Sequence, residues 1–564
     1  MVLRLPIGLD DFRALRELGL EYVDKSHLIK EILDRPGVPV LLLPRPRRFG
    51  KTLNLSMLRC WFEKTKEDLS HLFADLSIWT AGDEYRAHFQ RYPVIHFNFK
   101  GTRAATWEEC WAALQLKIQD LYKEHRFLLD EGHLDDVESS RFRSVLGGSG
   151  EKALLANALG DLSAYLHRHH GEKVVILIDE YDEPLHAGFL NGYGVESLDF
   201  VRAFLGAALK SNSHLQRAVV TGILRVAKEN MFSGLNNLGV YTLLAAQFNT
   251  CFGFTEEEVT ALLTRTGRAG YLPAVRAWYN GYLFGGQVIY NPWSVLCYLD
   301  REEVEPAGYW LSTSSNDLVK VLLEERAFTF QTAFETLLEG GAVERELDEN
   351  VALAEIHRSD DALWSLLAFS GYLKAEKRSH GMDEEATYLL SIPNREVRKV
   401  YSSTFRGWMK DRVERSGGSL HRLTTSLLAG DAESFEEELQ RFVTDVLSYH
   451  DPGKLQPERV YQGFVLGLLA VLEPGFRVRS NRESGKGRPD VLIHPVRPGQ
   501  PGVVLELKVA HPAKKTLEDA LAEGVSQIAA GDYGAELRAA GASPVHAFAV
   551  AFDGKTVRVL RAPG

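Results

Sequence analysis

Cysteine is scarce and dispersed. Cys60, Cys110, Cys251 and Cys297 are the four in 564 residues, and no two form a C-x-x-C pair. That excludes a disulfide framework, argues against a structural zinc site and fits a reducing cytoplasm. The N-terminus, Met1-Val-Leu-Arg-Leu-Pro6, has no apolar signal-peptide core. The longest apolar stretches, such as Val174–Ile178 and Phe464–Leu472, are far too short for a membrane span. Excess positive charge is also missing. A net charge of -11 excludes a general nucleic-acid coat, so any nucleic-acid contact must use a local basic surface. Long low-complexity linkers and internal repeats are absent. The expectation is a soluble, cytoplasmic chain with no membrane partner.

What is present is an ordinary globular composition, 45% hydrophobic and 25% charged, on a chain too long for one core. Residues 1–245 alternate β-rich runs (Val40–Leu43, Val94–Phe99, Val174–Ile178, Ala218–Thr221) with helical stretches (Trp107–His125, Ala153–His169, Leu198–Leu209). That alternation predicts an α/β fold with a parallel sheet covered on both faces. Residues 246–430 turn helical, as in Thr255–Arg265 and Asp361–Leu373, with a short β piece at Ala386–Ser391. They read as a helical lid and a winged-helix-like region. Residues 431–564 return to α/β. Helices at Ala432–His450 and Glu458–Leu472 precede strands near Phe476–Arg479, Asp490–Ile493 and Val503–Leu507. A helix at Leu517–Ala530 and two closing strands, His546–Ala551 and Thr556–Leu560, follow.

Two motifs carry chemistry. Arg45-Pro-Arg-Arg-Phe-Gly50-Lys51-Thr52 follows the first apolar strand and opens a helix. Backbone amides and the helix N-terminus in such a loop hold phosphates. The Lys51 ammonium reaches β and γ oxygens and the Thr52 hydroxyl binds Mg²⁺. Arg45 stands where the usual first glycine would be, and Arg47, Arg48 and Phe49 complete the loop. The second half is Val174-Val-Ile-Leu-Ile178-Asp179-Glu180, a buried strand delivering two carboxylates to its C-terminal edge. Asp179 is expected on the Mg²⁺ shell, with Glu180 polarising the attacking water. Asp182 either faces the site or caps a helix. Thr221, ending a later strand, is the candidate γ-phosphate sensor, and Arg225 would touch phosphate or a neighbouring subunit.

Near the C-terminus, Asp490 is followed sixteen residues later by Glu506-Leu507-Lys508. Glu506 and Lys508, two apart on a strand, share a face. A hairpin-like pairing would bring Asp490 beside Glu506. Two carboxylates then share one Mg²⁺ or Mn²⁺, the Leu507 carbonyl is a third ligand, and Lys508 sits by the metal's water. Glu458 and Glu483 compete for the upstream acid, with Glu458 preferred. Gln527 and Tyr533 follow on and after the next helix. Arg477, Arg479, Arg482, Lys486 and Arg488 form a basic run that could neutralise phosphates.

With these residues in place, the chain resembles the bacterial and archaeal AAA-ATPase-like family fused to a C-terminal PD-(D/E)XK nuclease domain. Further carriers are Leu5-Pro-Ile-Gly8, Tyr22-Val-Asp-Lys25, Phe232-Ser-Gly-Leu-Asn-Asn237, Trp278-Tyr-Asn-Gly-Tyr282 and Ile392-Pro-Asn-Arg-Glu-Val397. The R-P-R-R-F-G-K-T form is typical of that family. The resemblance implies a P-loop ATPase core, a helical lid and a restriction-endonuclease-like nuclease. Tyr22–Lys25 lies where an N-terminal linker would approach adenine. ATP and Mg²⁺ are the expected cofactors and nucleic acid the expected partner, with DNA favoured and RNA left open. A homo-oligomer is allowed. The competing reading is a nucleotide switch that binds nucleic acid or a protein without cutting.

Overall fold

Five parallel strands build the N-terminal sheet: β1 (Val40–Pro44), β2 (Val94–Asn98), β3 (Val174–Asp179), β4 (Leu215–Gly222) and β5 (Leu238–Val240). Their order is β2-β3-β4-β1-β5. β1 and β3 are buried along their whole length, which is why both read as unbroken apolar runs. Each of the Val, Ile and Leu side chains removed from water there contributes about 2 kcal/mol. β4 is inserted between β3 and β1, pairing Ile178 with Val220 on one side and Leu43 with Thr221 on the other. β5 is three residues long and has no apolar run of its own, so only pairing with β1 reveals it.

The structure is a computed structural model. It describes residues 3–562 apart from 131, 225–236, 311–321, 323–330, 339, 351–355, 357–358, 379–385, 404–418, 447–456, 470–471, 473–474, 481–488 and 511–514. The chain divides into two compact units, Met1–Leu322 with Glu339–Lys399, and Leu323–Leu338 with Val400–Gly564.

In the first unit, helices Trp107–Glu124, Lys152–His170 and Gly194–Leu209 accompany the sheet, the first two within one residue of the predicted limits and the third starting four residues earlier. Thr106 caps the first through the Glu109 amide, and Gly171, left-handed at φ 71°, ends the second. The helix Glu256–Arg265 starts with a reciprocal Thr255/Glu258 capping box. It belongs to an aromatic-rich cluster with the helices Leu272–Tyr279 and Pro292–Asp300, and the hairpin β6 (Tyr282–Phe284) and β7 (Gln287–Ile289) separates those two helices in the chain. The helix predicted to Leu373 stops at Phe369, because Gly371 takes a φ of 86° and turns the chain into a strand. That strand, β9 (Lys374–Lys377), joins β8 (Val343–Glu346) and β10 (Thr387–Ser391) in an antiparallel sheet of order β8-β10-β9.

The second unit carries the sheet β11 (Phe476–Ser480), β12 (Val491–Pro495), β13 (Gly502–Val509), β14 (Val545–Asp553) and β15 (Thr556–Ala562), in that order. β13 and β14 are parallel and are joined through the helix Leu517–Gly531. Period-two alternation sorts β13 between two cores. Val503, Leu505 and Leu507 pack with Phe442 and Phe464 from the helices Ala432–Val446 and Pro457–Leu469. Val504 packs with Ile528 and Tyr533 on the opposite face. Among the described residues, no helix is long and apolar enough to cross a membrane.

Candidate functional site

The loop between β1 and the helix Lys51–Phe62 bends through two left-handed residues, Arg48 at φ 67° and Gly50 at φ 84°. At Gly50 the φ alone calls for glycine, since a Cβ there would meet nothing within 4 Å. Lys51 is buried and its Nζ donates to the Arg45 and Pro46 carbonyls at 3.1 and 3.2 Å. Burial lowers its pKa, opposed by Glu180, Asp179 and Asp182. Thr52 Oγ1 donates to Asp179 Oδ2 at 2.7 Å, and Thr221 Oγ1 donates to Oδ1 of the same carboxylate at 2.5 Å. Asn98, at the end of β2, adds an Nδ2 contact at 3.4 Å. Asp179 is fully buried, and burial raises its pKa against these hydroxyls and Lys51.

Glu180 leaves β3 in the left-handed region, φ 50°, a conformation costing about 1 kcal/mol for a non-glycine residue. Its carboxyl shares a hydrogen bond with that of Glu183. Burial raises both. That bond with Lys51, Arg47 and Lys100 holds Glu180 below its usual value, while Glu183 is pushed up to about 8. A cavity of about 420 Å³ opens over this floor. Arg47, Gly50, Lys51, Thr52 and Glu180 line one part of it, and Tyr22, Val23, Phe254, Trp293 and Leu296 line another. Tyr22–Lys25 is anchored there by Lys25, whose Nζ donates to both Glu258 carboxylate oxygens at 2.7 Å and to the Thr250 carbonyl at 3.0 Å.

In the second unit, Asp490 stands one residue before β12, not within it as predicted, because pairing with β13 starts at Val491 opposite Leu505. One step further, Asp490 falls beside Glu506. Asp490 Oδ2 accepts from the Leu507 amide at 2.8 Å, and Lys508 Nζ donates to Glu506 Oε1 at 2.9 Å. Glu506 is 2% exposed and its Oε2 is buried with no hydrogen-bond partner. Burial and the Asp490 charge both raise its pKa. Leu507 points into the core, leaving Glu506 and Lys508 on the other face of β13.

Residues 6–232 match the model of the family described as predicted AAA-ATPase, and residues 456–562 match that of the PD-(D/E)XK nuclease superfamily. The chain joins a predicted AAA-ATPase domain to a PD-(D/E)XK nuclease superfamily domain. It is 27% identical over 500 residues, 87% of each chain, to an uncharacterized protein in the vnfD 5' region of Azotobacter chroococcum mcd 1. No solved structure matches it.

Within the AAA-ATPase domain the loop residues have divided tasks. Arg45, in the glycine's usual place, is fully buried as a brace. It donates to the Pro44, Tyr241 and Phe248 carbonyls at 2.7, 2.7 and 3.0 Å, against the rings of Phe252 and Phe284. Burial lowers its pKa to about 10. The Phe49 side chain is core, packed on Tyr282 and Phe284. Arg48 lies over Trp293, 4.3 Å from the ring centroid. Asp182 occupies the first position before the helix Glu183–Asn191 but makes no capping bond. Its Oδ2 accepts instead from the Ile223 and Leu224 amides just beyond β4. Arg225 lies outside the described residues.

In the nuclease domain, Glu458 is on the helix Pro457–Leu469, but its side chain lies outside the described residues, as do Glu483, Arg482, Lys486 and Arg488. Tyr533 is buried near Glu506, Lys508 and Asp490, whereas Gln527 is exposed. Arg479 pairs with Glu536 at 3.7 Å, which offsets part of the basic run. Among the described residues, no group of three or more His, Cys, Asp or Glu side chains gathers around a metal-sized space.

Two positioning residues escaped the sequence. Gln462 Nε2 donates to the Asp490 carbonyl at 3.1 Å, tying the helix Pro457–Leu469 to the turn that carries Asp490. Asn98 joins the Asp179 cluster. A polar residue ending an apolar strand, as Asn98 ends β2, was the available signal.

Proposed function

We propose that this protein binds and hydrolyses ATP and is an ATP-gated, Mg²⁺-dependent nuclease cutting phosphodiester bonds of DNA, with RNA the second candidate. In this reading residues 1–245 are the ATPase core, 246–430 the lid and winged-helix-like region, and 431–564 the nuclease domain. The protein works in the cytoplasm, and a homo-oligomer is compatible with it.

The observation that carries the nuclease reading is the Glu506 carboxylate, with one oxygen on Lys508 and the other buried without a partner. A buried anionic oxygen left unpaired is costly, and a divalent cation would satisfy it. Asp490, Glu506 and the Leu507 carbonyl therefore fit a metal, and Glu458 is proposed as the outer acid. Such an ion makes bound water more acidic and offsets charge on the phosphate. Lys508 would orient that water, and Tyr533 is buried near Glu506, Lys508 and Asp490.

On the ATPase side the nucleotide fits the cavity, with its phosphates over Gly50–Thr52 and its base against Tyr22 and Trp293. Lys51 exchanges its two loop carbonyls for β and γ oxygens. Arg47 and Arg48 add charge, the Phe49 and Gly50 backbones face phosphate, and Arg225 is retained as a further phosphate contact. Thr52 and Asp179, joined by a hydrogen bond, would hold Mg²⁺, which would offset charge on the phosphates. Thr221, bonded to the other oxygen of Asp179, is the γ-phosphate sensor, and Glu180 polarises water. The base against Trp293, in the lid segment, is how nucleotide binding would act on the lid.

The test incubates the purified protein with labelled plasmid, linear duplex, single-stranded DNA and RNA. Mg²⁺ or Mn²⁺ is present, with and without ATP, beside Lys508→Ala. Cleavage by wild type that the variant lacks supports the reading. Equal cleavage by both sinks the site. ATP binding with no cleavage of any substrate favours the nucleotide-switch alternative.

A further inference from the structure

The loop leaving β2, Phe99-Lys100-Gly101-Thr102-Arg103-Ala104, belongs to neither motif, yet Lys100 and Arg103 line the same cavity as Lys51, Thr52 and Glu180. β2 is the third strand from β1, about 14 Å away at ordinary strand spacing. Only long side chains on its exit loop can reach toward a phosphate resting at Lys51, and lysine and arginine are the longest cationic ones.

The loop is held in place by the elements that carry the acidic residues. The Phe99 amide donates to the Asp179 carbonyl at 3.0 Å, and the Gly101 amide donates to Glu183 Oε1 at 3.1 Å. Thr102, fully buried, donates from Oγ1 to the Phe99 carbonyl at 2.8 Å. The Ala104 carbonyl accepts from Asn191 Nδ2 at 3.1 Å and from Tyr193 Oη at 2.8 Å. Gly101 takes a φ of 86°, which makes the sharp turn between the two cations. The backbone is thus fixed on both sides of Lys100 and Arg103, and both residues line the cavity. Lys100 is one of the cations acting on Glu180. Its ion pair is with Asp10, at 3.3 Å between two exposed side chains, an interaction weak enough to exchange for a phosphate.

We propose that Lys100 and Arg103 are γ-phosphate ligands supplied by the same chain, so that one molecule contains the cations that distinguish a nucleoside triphosphate from a diphosphate. The proposal rests on the nucleotide reading of the cavity and deepens it. Fixed cations at the terminal phosphate stabilise the charge there without needing a neighbouring subunit, the role an arginine finger fills when supplied in cis.

The experiment titrates full-length wild type, Lys100→Ala/Arg103→Ala and Lys100→Gln/Arg103→Gln with ATP and with ADP, each with Mg²⁺, by calorimetry. A charge-assisted bond to phosphate accounts for tenfold or more in affinity. The expected result is an ATP affinity lowered at least about tenfold in both variants, with ADP affinity within about twofold of wild type. The Gln variant preserves side-chain bulk, and retained ADP binding reports an intact fold. An unchanged ATP-to-ADP ratio in a variant that still binds ADP overturns the assignment of Lys100 and Arg103. Wild type that binds neither nucleotide, while Lys508-dependent cleavage persists, overturns the nucleotide reading itself and this inference with it.

Discussion

Asp490 Oδ2 accepts a hydrogen bond from the backbone amide of Leu507 at 2.8 Å. One oxygen of the carboxylate therefore ties the start of β12 to β13 between Glu506 and Lys508. Asp490 has a structural job beside its proposed metal-binding one, and the two are separable. Asp490→Asn keeps an acceptor for the amide and removes the charge. It should leave the melting temperature within about 2 °C of wild type and abolish cleavage. Asp490→Ala should lose cleavage and in addition about 1 kcal/mol of stability. Denaturant unfolding beside a plasmid-cleavage assay reads both. Wild-type cutting by Asp490→Asn would remove Asp490 from the metal site.

Arg45 supports a stability prediction rather than a catalytic one. Replacing it with Ala strands the Tyr241 and Phe248 carbonyls that its guanidinium satisfies and opens a gap against Phe252. Arg45→Ala should cost at least about 3 kcal/mol, measured by denaturant unfolding. A smaller loss than that of Arg47→Ala, a residue on the cavity wall, would contradict the bracing role.

Gly524 lets the helix Leu517–Gly531 approach the sheet. A Cβ there would sit 2.9 Å from the Ala549 Cβ and 3.7 Å from the Lys508 Cγ. Gly524→Val should push the helix off β14, costing about 1–3 kcal/mol, and lower the cleavage rate several-fold by displacing Lys508. Single-turnover cleavage with ATP affinity as the control checks it, since the nucleotide cavity should be untouched.

Trp293 both receives Arg48 and lines the nucleotide cavity. Trp293→Ala should weaken ATP and ADP alike, by about tenfold. That equal loss differs from the selective ATP loss expected at Lys100 and Arg103. Fluorescent-nucleotide displacement measures it, and unaltered affinity for both would move the base elsewhere.

Acid should destabilise the first unit through His125, buried at the end of the helix Trp107–Glu124. Burial, aided by Arg59, lowers its pKa from 6.5 to about 4. The unfolded chain takes up the proton first as pH falls below about 6.5, so this contribution to stability declines from there and levels off below about 4. The full effect is at most about 3 kcal/mol. His125→Phe should show a shallower loss between pH 7 and pH 4.5 in paired denaturant titrations, whereas an identical slope would rule the residue out.

The linear pattern already contained both motifs in their local settings. An apolar run ending in a loop and a helix located Gly50–Thr52, and a five-residue apolar run located Asp179. Period two separated Glu506 and Lys508 from Leu507. Each of these depends on neighbours within a few residues, where backbone geometry and burial pattern are local properties. Tertiary structure alone decided what lies across from what. The insertion of β4 brought Thr221 onto Asp179, forty-two residues earlier in the chain. Strand order carried Lys100 and Arg103 to the cavity, and the fold buried Arg45 beneath the loop instead of exposing it to phosphate. Such placements follow from which strands pair and which faces pack, contacts between distant segments that no local spacing encodes.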